Sequence, residues 1–377
     1  MTTIRPLSLR ELNRALLDRQ FLLRRPALDA AAAVEHLVGL QTQVPSNHYT
    51  ALWSRLDGFD PDDFSRRFEA REFVRISLQR STIHTVTARD CLALRPVLRP
   101  GHERPFRSAW AKRLTGVDLD RVAARARELV EERPRTFQEL GRELGAEWPD
   151  ADRPALAQVA RHALALVQVP PRGLWRRGGA ARHTTAESWL GGRQAADTAP
   201  DGLVLRYLAA FGPASVKDAQ MWSGLTRLRE VFDRLLPRLE RFRDANGVEL
   251  YDLPDAPRPG EDVPAPARFL PEYDNLFIGH ADRSRVISAA AKSRSWVGNR
   301  ALPVFLADGF VRGLWRVDAD RGHTAATLVL TPFDRLTAAE RTDLAEEGAR
   351  LLAFLPQAAG GPGGAPIPGT VHDVRWE

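Results

Sequence analysis

Gln41 and Gln43 sit two residues apart in the run Leu40-Gln41-Thr42-Gln43-Val44-Pro45. Each carries a neutral amide with N–H donors and a carbonyl acceptor. Such a pair can orient a water molecule or a polar ligand, but it cannot act as a strong acid or base. The spacing matters because a proline pushes the residue before it toward extended backbone. In extended backbone, positions i and i+2 face the same side. Both amides can then address one point, whereas on a continuing helix they would diverge. Plain solvation of two glutamines at a helix end is the competing reading, so the rest of the chain must decide.

A second candidate set is Arg80-Ser81-Thr82-Ile83-His84. Its period of two predicts Arg80, Thr82 and His84 on one strand face, either simply solvated or facing phosphates or bases near the glutamines. A third is the dense polar loop His280-Ala281-Asp282-Arg283-Ser284-Arg285. It reads as an Asp-capped turn with solvated arginines, or as an arginine-bearing wedge against a nucleic-acid backbone. Trp175 and Trp315 each end a short apolar strand and are expected in the core. The chain carries no Walker loop, no Rossmann glycine fingerprint and no HExxH motif. No serine sits in a nucleophile elbow, and the histidines are scattered without a ligand cluster. Kinase, serine-hydrolase and metalloenzyme chemistry are poor fits, and no cofactor or metal is expected.

The elements that must position these residues follow from periodicity and capping. Ser8 and Glu11 have capping-box spacing ahead of Leu12, Leu16, Leu17 and Phe21 at helical intervals. A second helix is predicted over residues 29–40, with Asp29 as its cap, so that the glutamines lie at its end. A third runs through Leu56, and residues 73–86 alternate as a half-buried strand or hairpin. Helix, helix, helix, strands is the order of a winged helix-turn-helix. The order returns with the Thr136–Glu139 capping spacing, a helix over residues 156–169 and a turn at Pro170-Pro171. It returns again with helices over 203–211, after Ser215 and over 225–236, then a hairpin turn at Asn246-Gly247. Residues 255–266 form a proline-rich acidic linker. Beyond it come short strands, a hairpin turn at Asp308-Gly309 and a final helix over 337–355. The Gly/Pro-rich tail, residues 360–368, is expected to be loosely ordered. The predicted units are 1–115, 116–200, 201–260 and a β-rich part, 261–377.

A chain of 377 residues with 44% hydrophobic content can bury large cores. One cysteine, Cys91, excludes a disulfide framework. No apolar run is long enough to span a membrane, so a cytoplasmic, nucleoid-associated protein is expected. The net charge is +6, and 51 of the 54 basic residues are arginines. Arginine forks match phosphate oxygens in pairs, and the positive balance favours an anionic partner. A GC-rich genome would give the same arginine count.

Several runs together resemble the tandem winged-helix DNA glycosylases related to AlkZ and YcaQ. They are residues 34–45, Arg80-Ser81-Thr82-Ile83-His84, Phe211-Gly212-Pro213-Ala214-Ser215, the eight residues from Arg268 to Asn275, and the loop from His280 to Arg285. Their order along the chain is the family's. The AlkZ-like branch carries Gln-x-Gln, matched by Gln41 and Gln43, with an aliphatic middle residue that is Thr42 here. The resemblance implies three winged-helix units and a barrel-like C-terminal part in a C-shape around a DNA channel. It implies a monofunctional glycosylase acting on N7-alkylguanine in double-stranded DNA, with Gln41 and Gln43 catalytic; a monomer is expected of a chain that would already hold three DNA-binding units. It extends to unhooking of interstrand crosslinks and to self-resistance against a DNA-alkylating natural product. The expected DNA-binding residues are Asn47, His48, Arg80, Thr82, His84, Arg283 and Arg285. A non-catalytic winged-helix regulator or lesion binder is the alternative.

Overall fold

The computed structural model describes residues 5–319, 325–355 and 371–377; the glycine-rich tail lies outside them. The N-terminal helix, Leu9–Arg19, starts at the predicted capping box. The next helix covers only Ala30–His36. It stops four residues short of the predicted end because Val38 and Gly39 are left-handed, with φ of 55° and 90°. Glycine is needed there for packing too: a Cβ on Gly39 would lie 2.7 Å from Val86. The chain then enters a two-residue strand, Leu40–Gln41, which pairs antiparallel with Ile83–Thr87. Gln41 therefore stands on a strand, with Gln43 in the bend just beyond it, rather than at a helix end.

Strands Phe73–Ser77 and Ile83–Thr87 form the predicted hairpin. All five residues of Phe73–Ser77 are buried: the helices Pro61–Glu69 and Ala88–Leu98 pack against it, and its other edge is taken by Leu166–Gln168. That strand corrects the helix predicted over 156–169, which ends at Ala163. Leu164 to Val167 form a continuous buried apolar run, and periodicity alone cannot separate a buried strand from a buried helix. With His183–Thr185 the result is one five-stranded sheet, joining strands from either side of the predicted 115/116 boundary.

Helices Leu119–Glu132, Phe137–Glu147 and Arg153–Ala163 precede the pair of strands Leu166–Gln168 and His183–Thr185. Helices Asp201–Phe211, Val216–Ser223 and Leu228–Leu235 likewise precede the hairpin Glu240–Asp244 and Glu249–Asp252. The repeated order of elements is thus visible. The N-terminal strand Pro6–Leu7 adds to Glu240–Asp244 in parallel, tying the two ends of this region together.

The C-terminal part is an open sheet, not a barrel. Its order runs from Arg268–Leu270 through Val304–Ala307, Phe310–Ala319 and Ala325–Pro332 to Val371–Trp376. The two outer strands do not pair with each other. Asp308 and Gly309 both adopt positive φ at the predicted hairpin turn. The helix Ala338–Phe354 buries Leu344, Leu351 and Leu352 against this sheet. The fold is α+β and mainly helical, and no helix among the described residues can cross a membrane.

Candidate functional site

The pairing of Leu40–Gln41 with Ile83–Thr87 sets Gln41 opposite His84 and puts the Thr42 N–H on the Ile83 carbonyl at 2.8 Å. The other edge of this short strand is held by a side chain. Asn275 Nδ2 donates to the Gly39 carbonyl at 2.7 Å, and Asn275 Oδ1 accepts from the Gln41 N–H at 3.2 Å. One amide thus replaces the strand that would otherwise pair there. Asn275 is fixed in turn by its neighbour Asp274, which caps the helix Asn275–Ile278. Asp274 also takes a two-pronged ion pair from Arg55, at 2.7 and 2.9 Å, with both side chains buried.

The carbonyl of the Gln41 side chain accepts from Arg80 Nη2 at 2.7 Å and from the Thr82 hydroxyl at 3.2 Å. A guanidinium only donates, so this contact fixes which end of the amide is oxygen. The Gln41 NH2 is the end left to face a ligand. The Gln43 carbonyl accepts from the Ile83 N–H at 3.3 Å. One of its two lone pairs remains, on an exposed side chain. The two amides therefore differ: Gln41 presents donors and Gln43 an acceptor. No carboxylate is hydrogen-bonded to either amide among the described residues.

Arg80 sits in the turn between the hairpin strands with φ of 55°. Its guanidinium also donates to the Trp222 carbonyl. It has no ion-pair partner among the described residues, and burial, reinforced by the charge of Arg283, pushes its pKa down to about 10. It stays charged at neutral pH and polarises the Gln41 amide. Arg75, on the adjoining strand, is another buried guanidinium, bonded to the Thr42 carbonyl at 2.6 Å.

Not all the predicted residues reach this site. Arg80 and Thr82 converge on Gln41. His84 instead turns inward, 2% exposed, with Nδ1 donating to the Thr82 carbonyl. His48 is fully enclosed between the Thr85 hydroxyl at 2.9 Å and the Gly173 carbonyl at 3.0 Å. Burial lowers both imidazoles to about 3, so they are neutral framework groups with no free face for DNA. Asn47 is buried and donates to the Glu272 carbonyl. Arg285 is buried and donates to the Pro213 carbonyl, while His280 donates to Phe211. The loop from His280 to Arg285 and the turn after Phe211 are thus two halves of one packed unit. Only Arg283 of the loop's two arginines is partly exposed, lying over the Trp296 ring at 5.5 Å.

Sequence reasoning gave no role to Asn275 or the Arg55–Asp274 pair. The available signal was Asp274 as a helix cap ahead of apolar Leu276 and Phe277. Val44, next in the chain after Gln43, lines a largely apolar recess of about 570 Å³ with Pro271, Leu302, Leu314 and Trp315, whose polar lining includes Asn47, Glu272 and Arg300.

A model of the DNA glycosylase AlkZ-like family matches residues 34–354. The chain is similar to an interstrand DNA cross-link repair glycosylase of Streptomyces sahachiroi, 24% identical over 358 residues, covering 84% of this chain and 88% of that one. The solved structure of Streptomyces sahachiroi DNA glycosylase AlkZ superposes with a TM-score of 0.77 at 20% identity, covering 99% of this chain and all of the other. The matched span contains Gln41, Gln43, Arg80, Thr82 and Asn275, and the chain belongs to the AlkZ-like DNA glycosylase family.

Proposed function

We propose that this glycosylase hydrolyses the N-glycosidic bond of N7-alkylguanine in duplex DNA, using Gln41 and Gln43 to hold the attacking water. The observation that carries this reading is the pair of oppositely oriented amides with no carboxylate bonded to them. The water donates a proton to the Gln43 carbonyl and accepts from the Gln41 NH2. Its remaining lone pair attacks C1′ of the deoxyribose. The C1′–N9 bond breaks, and its electron pair neutralises the cation that N7-alkylation placed on the base. The base leaves neutral, so no strong acid is required, and the attacking water's proton goes to solvent. Positioning supplies much of the rate enhancement. An uncharged nucleoside lacks the activated leaving group, so neutral amides confine the chemistry to cationic lesions.

The largely apolar recess that Val44 lines supports a bulky lesion rather than a methyl group alone. A crosslink from a DNA-alkylating natural product has that character, and the Streptomyces relative is named for crosslink repair. Self-resistance in a producing organism is the physiological setting we propose. The repeated three-helix-and-hairpin order supports three winged-helix units curving around the duplex.

Release of free 7-alkylguanine from lesion-bearing duplex tests the assignment. Gln41→Ala and Gln43→Ala should each slow single-turnover release by about 10²-fold, the scale of losing one preorganised polar contact, while DNA affinity changes little. Unchanged release in both variants would remove these residues from the mechanism. Tight binding without release by the native chain would favour a lesion-binding protein.

A further inference from the structure

At the Arg80 turn lies an open cavity of about 290 Å³, lined by Ser77, Arg80, Ser81, His102, Arg161 and His162 among others. No acidic residue lines it. Arg80 and Arg161 both lack an ion-pair partner among the described residues, and burial lowers the pKa of each. Arg161 uses one nitrogen to hold the Ser81 carbonyl at 2.7 Å.

The polar atoms of the lining are unusually poor in partners. Ser77 is 5% exposed, yet its hydroxyl has no hydrogen bond. The Ser81 hydroxyl and His162 Nδ1 are buried and unpaired as well. Buried polar groups are nearly always satisfied, so three unsatisfied ones around one cavity call for a ligand or ordered solvent. Two uncompensated guanidinium charges select an anion over a neutral ligand, and hydroxyls supply the further donors that phosphate oxygens accept. The wall formed by Phe106 and His162, stacked at 4.5 Å, limits the cavity on its apolar side.

We infer that this cavity is a subsite for one backbone phosphate of the bound DNA strand. It rests on the reading that duplex DNA is the substrate, and it adds where a phosphate sits. Arg80 connects this subsite to the reaction centre, because the same guanidinium that lines the cavity holds the Gln41 carbonyl. A phosphate docked here compensates the Arg80 charge and, through that guanidinium, steadies the amide.

The test is binding of undamaged duplex across a salt series, which needs no glycosylase activity. Arg161→Gln should weaken binding about tenfold and reduce the slope of log K against log salt by about 0.9, the loss of one phosphate contact. Ser77→Ala removes a hydroxyl with no protein partner, so it should leave thermal stability unchanged or raised. It should nevertheless weaken binding several-fold at an unchanged slope, since no charge is lost. Arg66→Gln, an exposed arginine on the helix Pro61–Glu69, serves as the control for general loss of charge. Native affinity and slope in both cavity variants would overturn the inference. So would an Arg161→Gln effect no larger than that of Arg66→Gln with Ser77→Ala silent. Loss of affinity in the cavity variants beside a chain that never releases base would uphold the subsite while sinking the glycosylase mechanism.

Discussion

Thr42 stands between the two glutamines with its side chain turned into the protein. Its hydroxyl meets the Thr85 hydroxyl at 3.0 Å, and Thr85 meets His48 Nδ1 at 2.9 Å. The directions in this chain are fixed from the far end. The Gly173 carbonyl can only accept, so His48 Nε2 carries the proton. A neutral His48 then has an accepting Nδ1, which takes the Thr85 proton and leaves Thr85 to accept from Thr42. The polar middle residue is therefore satisfied inside the packing and needs no place among the reacting groups. Thr42→Val keeps the shape and removes one hydrogen bond, so the cost should be about 1 kcal/mol. The unfolding free energy from urea titration should fall by that amount while base release persists. A collapse of release in this variant would show that the Thr42 hydroxyl reaches the reaction. At this scale the sequence was informative about the amides, since a spacing of two needs only extended backbone. It was silent on their orientation, because donors and acceptors are assigned by Arg80, Thr82 and Ile83, which come from elsewhere in the chain.

A strand of two residues, Leu40–Gln41, has little stability of its own, so its position depends on both its edges. One edge is the main chain of Ile83–Thr87, and the other is the Asn275 amide. Asn275→Ala should remove two hydrogen bonds and free that edge. The expected loss is about 2 kcal/mol of stability, with a larger proportional loss in release rate because Gln41 is no longer held. Asn275→Asp restores an acceptor for the Gln41 N–H but sets a carboxylate against the Gly39 carbonyl, so it should not rescue. Parallel urea unfolding and single-turnover release distinguish positioning from mere destabilisation. If release falls only as far as the folded fraction falls, Asn275 is a structural tie alone. The elements read best from sequence were those with local signals: the capping boxes at Ser8 and Thr136 form, and the helix starts read at Ser215 and Thr337 turn out to carry capping boxes too. The helix predicted through residue 40 failed because the left-handed Val38 interrupts an apolar pattern that continues past it. Phe73–Ser77 read as half-buried because Arg75 occupies a polar position, yet Arg75 is itself 1% exposed. Which strand covers its second edge is a long-range fact that alternation does not carry.

Across the whole molecule, neutral histidines lock together segments distant in sequence. His48 joins the first helical region to Gly173, and His102 Nε2 donates to the Leu78 carbonyl at 2.7 Å, tying a helix to the hairpin. His84 anchors the strand beneath Gln41. Burial, together with neighbouring arginines, lowers His48, His84 and His102 each to about 3. In the unfolded chain each returns to the ordinary value near 6.5. The unfolded state therefore binds more protons between pH 6.5 and 3, and stability falls as pH falls through that window. Each such histidine contributes a slope of about 1.4 kcal/mol per pH unit. Carboxylates held low by arginine, such as Asp29 beside Arg67, add their own loss only at more acidic pH, below the ordinary carboxylate range. The slope of unfolding free energy near pH 5.5 should therefore report uptake of about three protons or more. His102→Gln keeps an N–H for the Leu78 carbonyl and cannot titrate, so it should lower that slope by about one proton while remaining folded at pH 7. A native slope near zero would mean that these imidazoles are reached by solvent, and an undiminished slope in His102→Gln would remove His102 from the set. Because His84 lies directly behind the glutamine strand, the same protonation should loosen the reaction site before the rest of the fold, and base release should fail at a higher pH than global unfolding.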